Sequence, residues 1–121
     1  MPANTSIVVK EGTVGIANSI FAYNYANLVS VSLPNSIVNI GENAFSDCTN
    51  LESINIPNSI TKIGSLTFRN CTSLASIEIP TSVTSIGHGT FMNTAWFNNQ
   101  PDGVVYLGNW LIGYKGTMPA Y

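Results

Sequence analysis

The side chains of this 121-residue chain best suited to chemistry are Cys48, Cys71 and His88, its two cysteines and single histidine. Two thiols can form a disulfide if their Cα atoms lie about 4.4–6.8 Å apart. A structural zinc site takes four ligands, and these three residues fall short of it. A Ser-His-Asp arrangement would have to use His88. No serine sits in a Gly-x-Ser-x-Gly elbow. The carboxylates Glu11, Glu42, Asp47, Glu52, Glu78 and Asp102 are scattered, and none has a repeated partner for acid–base work. Gly41, Gly64 and Gly87 do not form a phosphate loop or a dinucleotide fingerprint. Calcium-binding Gly-Gly-x-Gly-x-Asp runs are missing. The chain therefore reads as a non-enzyme, with no catalytic residues, no metal site and no cofactor.

The spacing of the cysteines has a different origin. They stand 23 residues apart, and so do Leu28, Leu51 and Leu74; Pro34, Pro57 and Pro80; Gly41, Gly64 and Gly87; and Phe45, Phe68 and Phe91. Three segments, 28–50, 51–73 and 74–96, share one template. A fixed period of about 20–29 residues with leucines in register marks a leucine-rich repeat solenoid. His88 falls at the position of Glu42 and Ser65, which reads as an exposed turn. Cys48 and Cys71 fall in one column, about 5 Å apart if neighbouring coils stack at the strand spacing. A buried pair of free thiols is expected there, with a disulfide as the alternative.

Within the second copy, Leu51, Ile54 and Ile56 alternate with Ser53 and Asn55, as in a short half-buried strand that Pro57 ends. Ile60 and Ile63 make a second inward pair. Gly64 is expected to release a tight bend. Leu66 and Phe68 turn inward on a helical or 3₁₀ turn, and Cys71 closes the coil. One coil cannot bury its own apolar side chains, so stacking is forced. Upstream, Ile7, Val9, Ile16 and Phe21 match Val31, Leu33, Ile40 and Phe45 at a step of 24, so the first coil holds one extra residue between Phe21 and Leu28. Downstream, Pro101-Asp102-Gly103 is a turn signal. Val104–Leu107 and Trp110–Ile112 flank Gly108-Asn109 as a β-hairpin that would cover the last coil. The expected fold is a right-handed, mainly β solenoid of short parallel strands and short turns. Residues 1–121 read as one domain, with about four coils over 5–97 and a hairpin cap over 98–116.

Composition narrows the partners. Charged residues are only 8% of the chain, and net charge is −2 with 4 Lys+Arg. Without a basic patch there is nothing to neutralise phosphates, so nucleic acid is not a partner. No apolar run reaches the roughly 20 residues of a membrane helix, so membrane insertion is not expected.

The string Leu-x-x-Ile-x-Ile-Pro-x-Ser-Ile-x-x-Ile-Gly followed by Phe and Cys, as in Leu51 to Cys71, resembles the BspA-like group of leucine-rich repeats. The segment from Trp96 to Gly116 resembles one found between repeat blocks of such proteins. The first of the four coils departs from the pattern, with Asn24 or Tyr25 at the cysteine position, and the fourth coil has Thr94. The resemblance implies a bacterial-type cell-surface or secreted protein used in adhesion and in binding host or matrix proteins.

The candidate ligand-binding face is the outward side of the main sheet, carrying Ser30, Ser32, Glu52, Ser53, Asn55, Ser76 and Glu78. A solenoid presents such a face as an extended surface. A protein-binding or adhesion module is the leading function, and a passive spacer in a repeat array is the alternative. A weaker one is carbohydrate binding through Trp96, Phe97, Tyr106, Trp110 and Tyr114, whose other reading is an end cap buried on the last coil. Met-Pro-Ala occurs at residue 1 and again at 118, as expected of one block in a longer tandem array. Open coils at both ends invite end-to-end self-association.

Overall fold

A computed structural model describes residues 2–23 and 25–117. Asn24 and the Met-Pro-Ala pair at residues 1 and 118 lie partly or wholly outside them. Two parallel sheets run along the stack. The first comprises β1 (Thr5–Val8), β3 (Leu28–Ser32) and β5 (Ser53–Ile54) in the order β1-β3-β5. The second comprises β2 (Gly15–Ile16), β4 (Asn39–Ile40), β6 (Lys62–Ile63) and β7 (Ser85–Ile86) in the order β2-β4-β6-β7. Registers follow the repeat: Ser30 pairs with Ser53, Ile40 with Ile63, and Ile63 with Ile86. The first coil's extra residue falls between Tyr23 and Tyr25, because Tyr25 accepts from Leu28 as Cys48 accepts from Leu51. Tyr25 thus holds the cysteine position. A register shift between Thr5 and Ser6, opposite Val29, takes the pairing of β1 with β3 from a step of 23 to a step of 24.

The third side of each coil is a chain of short turns. Ala44 bonds back to Gly41, Ser46 to Asn43 and Cys48 to Phe45, each three residues away. Left-handed residues interrupt the run at Asn43 and Asp47 (φ 56° and 63°), and at Leu66 and Asn70 (60° and 61°). A left-handed residue every four positions stops the turn from becoming a helix. The bend expected of Gly64 is therefore made by its neighbours, and Gly64 serves a different need. A Cβ there would lie 2.6 Å from the Glu42 nitrogen of the coil before. Glycine is required because two backbones touch.

The core is one cluster running through all coils. Leu28, Leu51 and Leu74 are fully buried, as are Phe45 and Phe68, while Phe91 is 1% exposed. Burying each such side chain contributes about 1.5–3 kcal/mol. The rings of Phe21, Phe45, Phe68 and Phe91 stack with centroids 5.5, 5.8 and 6.1 Å apart and planes within 16°. Tyr25 closes the stack edge-on at one end and Trp96 at the other, each 5.7 Å away. Thr94, which replaces cysteine in the fourth coil, caps a one-turn helix α1 (Ala95–Asn98) by accepting from the Phe97 N–H at 3.1 Å. The chain then enters the antiparallel hairpin β8 (Gly103–Leu107) and β9 (Trp110–Lys115). Leu107, Trp110 and Ile112 pack on the core. Lys115 ties the hairpin down by donating to the Asn98 and Gln100 carbonyls at 2.8 and 2.7 Å.

Gly64→Ala should destabilise the fold by about 3 kcal/mol or more, because rigid backbone surrounds the added methyl. Chemical denaturation checks this; a loss below about 1 kcal/mol would contradict the contact.

Candidate functional site

The predicted face does not behave as one surface. Ser30 is half-buried, and its hydroxyl donates to Ser6 at 2.7 Å, continuing a ladder along the first sheet. Ser32 and Glu52 are exposed but stand apart. Ser53, Asn55, Ser76 and Glu78 come together, with Ile54, Ile56 and Ile77 beneath, around a shallow depression of about 330 Å³.

The depression exists because the first sheet comes apart along the stack. Its first two strands pair over Thr5–Val8, and the next pairing covers only Ser30–Val31 with Ser53–Ile54. Among the described residues, no backbone bond joins 53–56 to 76–79. Asn55 shows what is missing. Its carboxamide receives the Leu33 N–H at 2.7 Å and donates to the Leu33 carbonyl at 3.0 Å, clamping the third coil to the second. Glu78 holds the same position one coil on. An ionised carboxylate accepts but cannot donate, so it cannot make this two-way bond with Ile56. The backbone edge of β5 stays open beside it.

The cysteines are structural. Both are buried and free. Each thiol points to a carbonyl of the coil before: Cys48 to Phe21 at 3.3 Å and Cys71 to Phe45 at 3.1 Å. Burial, with Asp47 nearby, pushes the Cys48 thiol up to about 12. Burial raises Cys71 further. Both stay protonated at neutral pH, which suits a weak donor and suppresses thiolate chemistry. Among the described residues, no three His, Cys, Asp or Glu side chains gather as a metal site. No described helix is long and apolar enough to cross a membrane. His88 is exposed, and its Nδ1 lies 3.1 Å from the Ser65 hydroxyl, so the turn column is held together by its polar side chains. Asp47, Asn70 and Asn93 form a second polar ladder: Asn70 donates to Asp47 at 2.6 Å and Asn93 to Asn70 at 3.0 Å.

The terminal aromatics divide between cap and cleft. Trp96 and Trp110 are half-buried against the core, and Tyr106 is exposed. Phe97, Trp110 and Tyr114 border a cleft of about 660 Å³ between the hairpin and residues 86–92 of the last coil. Sequence reasoning missed the clamp, the open β5 edge and this cleft. The Asn-to-Glu change from 55 to 78 was the available signal for the first two.

Residues 3–104 match the family described as BspA type Leucine rich repeat region (6 copies). The chain belongs to this family of leucine-rich repeat proteins. It is similar to a solved leucine-rich repeat protein of T. pallidum, with 37% identity and a TM-score of 0.67 over 71% of this chain and 42% of that one. A leucine-rich repeat protein from Bacteroides ovatus ATCC 8483 matches at 20% identity and a TM-score of 0.42, over 73% of this chain and 34% of that one. The chain thus spans less than half the length of either structure. No curated protein matches it.

Glu78→Asn should supply the missing donor, close the depression and stabilise the fold by about 1 kcal/mol. Thermal unfolding reads the gain, and protection of the 53–56 amides from exchange reads the closure. A variant no more stable than the parent, with those amides still open, would contradict the clamp.

Proposed function

We propose that this chain is a protein-binding module of a surface or secreted protein, and that it docks its ligand at the depression between the third and fourth coils. The observation that carries this reading is the convergence of Ser53, Ser76 and Glu78 beside the unpaired edge of β5. An extended segment of a partner can add to an open strand edge through its backbone, with side-chain pockets giving selectivity. Here the edge is flanked by hydroxyls, one carboxylate and an isoleucine floor, a mixed lining typical of a recognition site. Family membership supports an interaction or structural role and a bacterial surface setting.

The alternative is a spacer. It is favoured by the unbroken ring stack, which joins the coils into one rigid column. The two readings separate in a binding assay against purified extracellular-matrix proteins. Ser53→Lys, Ser76→Lys and Glu78→Lys together leave the Asn55 clamp intact. Under the binding reading they should weaken capture at least about tenfold, the scale of a lost hot spot, with thermal stability preserved. Capture that the triple variant leaves unchanged would place the ligand elsewhere and overturn the depression as the site; no capture by the parent would favour the spacer.

A further inference from the structure

Each junction between coils on the turn side uses the same five backbone bonds. At the second junction, Asn43, Phe45 and Asp47 donate to Ser65, Thr67 and Arg69, while Thr61 and Gly64 donate back to Val38 and Ile40. The first and third junctions repeat this set, with Ser19, Phe21 and Tyr23 donating at one and Leu66, Phe68 and Asn70 at the other. On the last coil the corresponding groups are the N–H groups of Gly89, Phe91 and Asn93 and the carbonyls of Thr84 and Ile86. None has a partner among the described residues. The hairpin leaves this corner uncovered. The cleft of about 660 Å³ lies over residues 86–92, with Phe97 and Trp110–Tyr114 on its other wall.

The opposite end of the chain carries the complement. The carbonyls of Asn18, Ile20 and Ala22 and the N–H groups of Val14 and Ala17 are the first coil's version of the same set, and they too have no backbone partner among the described residues. Ile16 and Ile86 hold the same place in the second sheet, at its first and last strands, so the two edges can pair in the register of the repeat. The apolar rims also match. Val14 and Ile20 are 67% and 48% exposed on one side, and Met92 and Leu111 are 54% and 62% exposed on the other. No lysine, arginine, aspartate or glutamate is among the described residues that line the cleft.

We propose that the cleft is a socket for the corner 14–22 of a second copy of this block, which seats there as a further coil and continues the β2-β4-β6-β7 sheet. The interface is head-to-tail. Every bond it forms is one the chain already makes three times internally. The occupant is thus specified by the repeat itself. A heterologous contact of this kind propagates, because each added copy presents a fresh socket.

Two one-sided variants test it. Val14→Asp with Ile20→Asp disables the corner, and Met92→Asp with Leu111→Asp disables the socket. All four positions are exposed, so the single-chain fold should survive, as circular dichroism will show. In sedimentation equilibrium the wild type should gain mass as its concentration rises toward the roughly millimolar effective concentration that a short linker would impose on neighbouring blocks. Each variant alone should associate at least about tenfold more weakly. An equimolar mixture should form a one-to-one complex through the intact corner of one and the intact socket of the other. In that complex the Gly89 and Phe91 amides should become as exchange-protected as those of Leu66 and Phe68. A mixture no stronger than either variant alone overturns the proposal. So does a wild type that associates while Gly89 and Phe91 remain open, since its contact would lie elsewhere.

Discussion

No single coil can enclose its own apolar side chains, and the whole molecule follows from that constraint. Leu51, Ile63 and Phe68 are shielded by the matching residues above and below as much as by their own turn. The phenylalanine column makes this visible. Its rings stack at 5.5–6.1 Å, wider than the roughly 4.8 Å between strands, as offset rings must. The column ends where an edge-on ring replaces a parallel one, Tyr25 below and Trp96 above. The two residues that break the repeat at the cysteine position, Tyr25 and Thr94, are thus part of how the column is closed: Tyr25 supplies a ring, and Thr94 starts the turn that delivers Trp96.

Close stacking also dictates the polar chemistry. Gly64 is tolerated only as glycine because the backbone of the preceding coil touches it. Buried hydroxyls and thiols point at carbonyls of the coil before: Thr67 to Gly41 at 3.1 Å, Thr90 to Gly64 at 3.0 Å, Cys71 to Phe45 at 3.1 Å. These groups join the coils. Sites of interest arise where stacking fails. One is the split at Glu78, where a carboxylate stands in place of a carboxamide. The other is the last corner, where no coil follows.

The columns were legible in the sequence because translation by 23 residues puts like on like. The buried leucines, the free thiols and the exposed His88 turn follow from that symmetry, whereas the hairpin was legible from its own turn signal at Gly108-Asn109. What periodicity hides is how copies differ. Ser19, Asn43 and Leu66 adopt left-handed backbone at equivalent points although their side chains share little. Asn55 and Glu78 look like interchangeable surface residues, yet only the amide can both donate and accept. The candidate face was drawn as a uniform row. Its members separate because Ser30 is tied to Ser6, and Asn55 to Leu33, while Ser53, Ser76 and Glu78 remain available.

The claim that coils are stabilised from both sides is tested most directly by comparing two truncations of the ring column. Phe68 is stacked between two rings and fully buried, whereas Phe21 has a stacked partner on one side only and is half-buried. Equilibrium denaturation of Phe68→Ala should show a loss of about 3–5 kcal/mol. Phe21→Ala should lose roughly half as much, in keeping with the smaller apolar surface it buries. Equal losses at the two positions would contradict the account, because stability would then reside within each coil rather than between them.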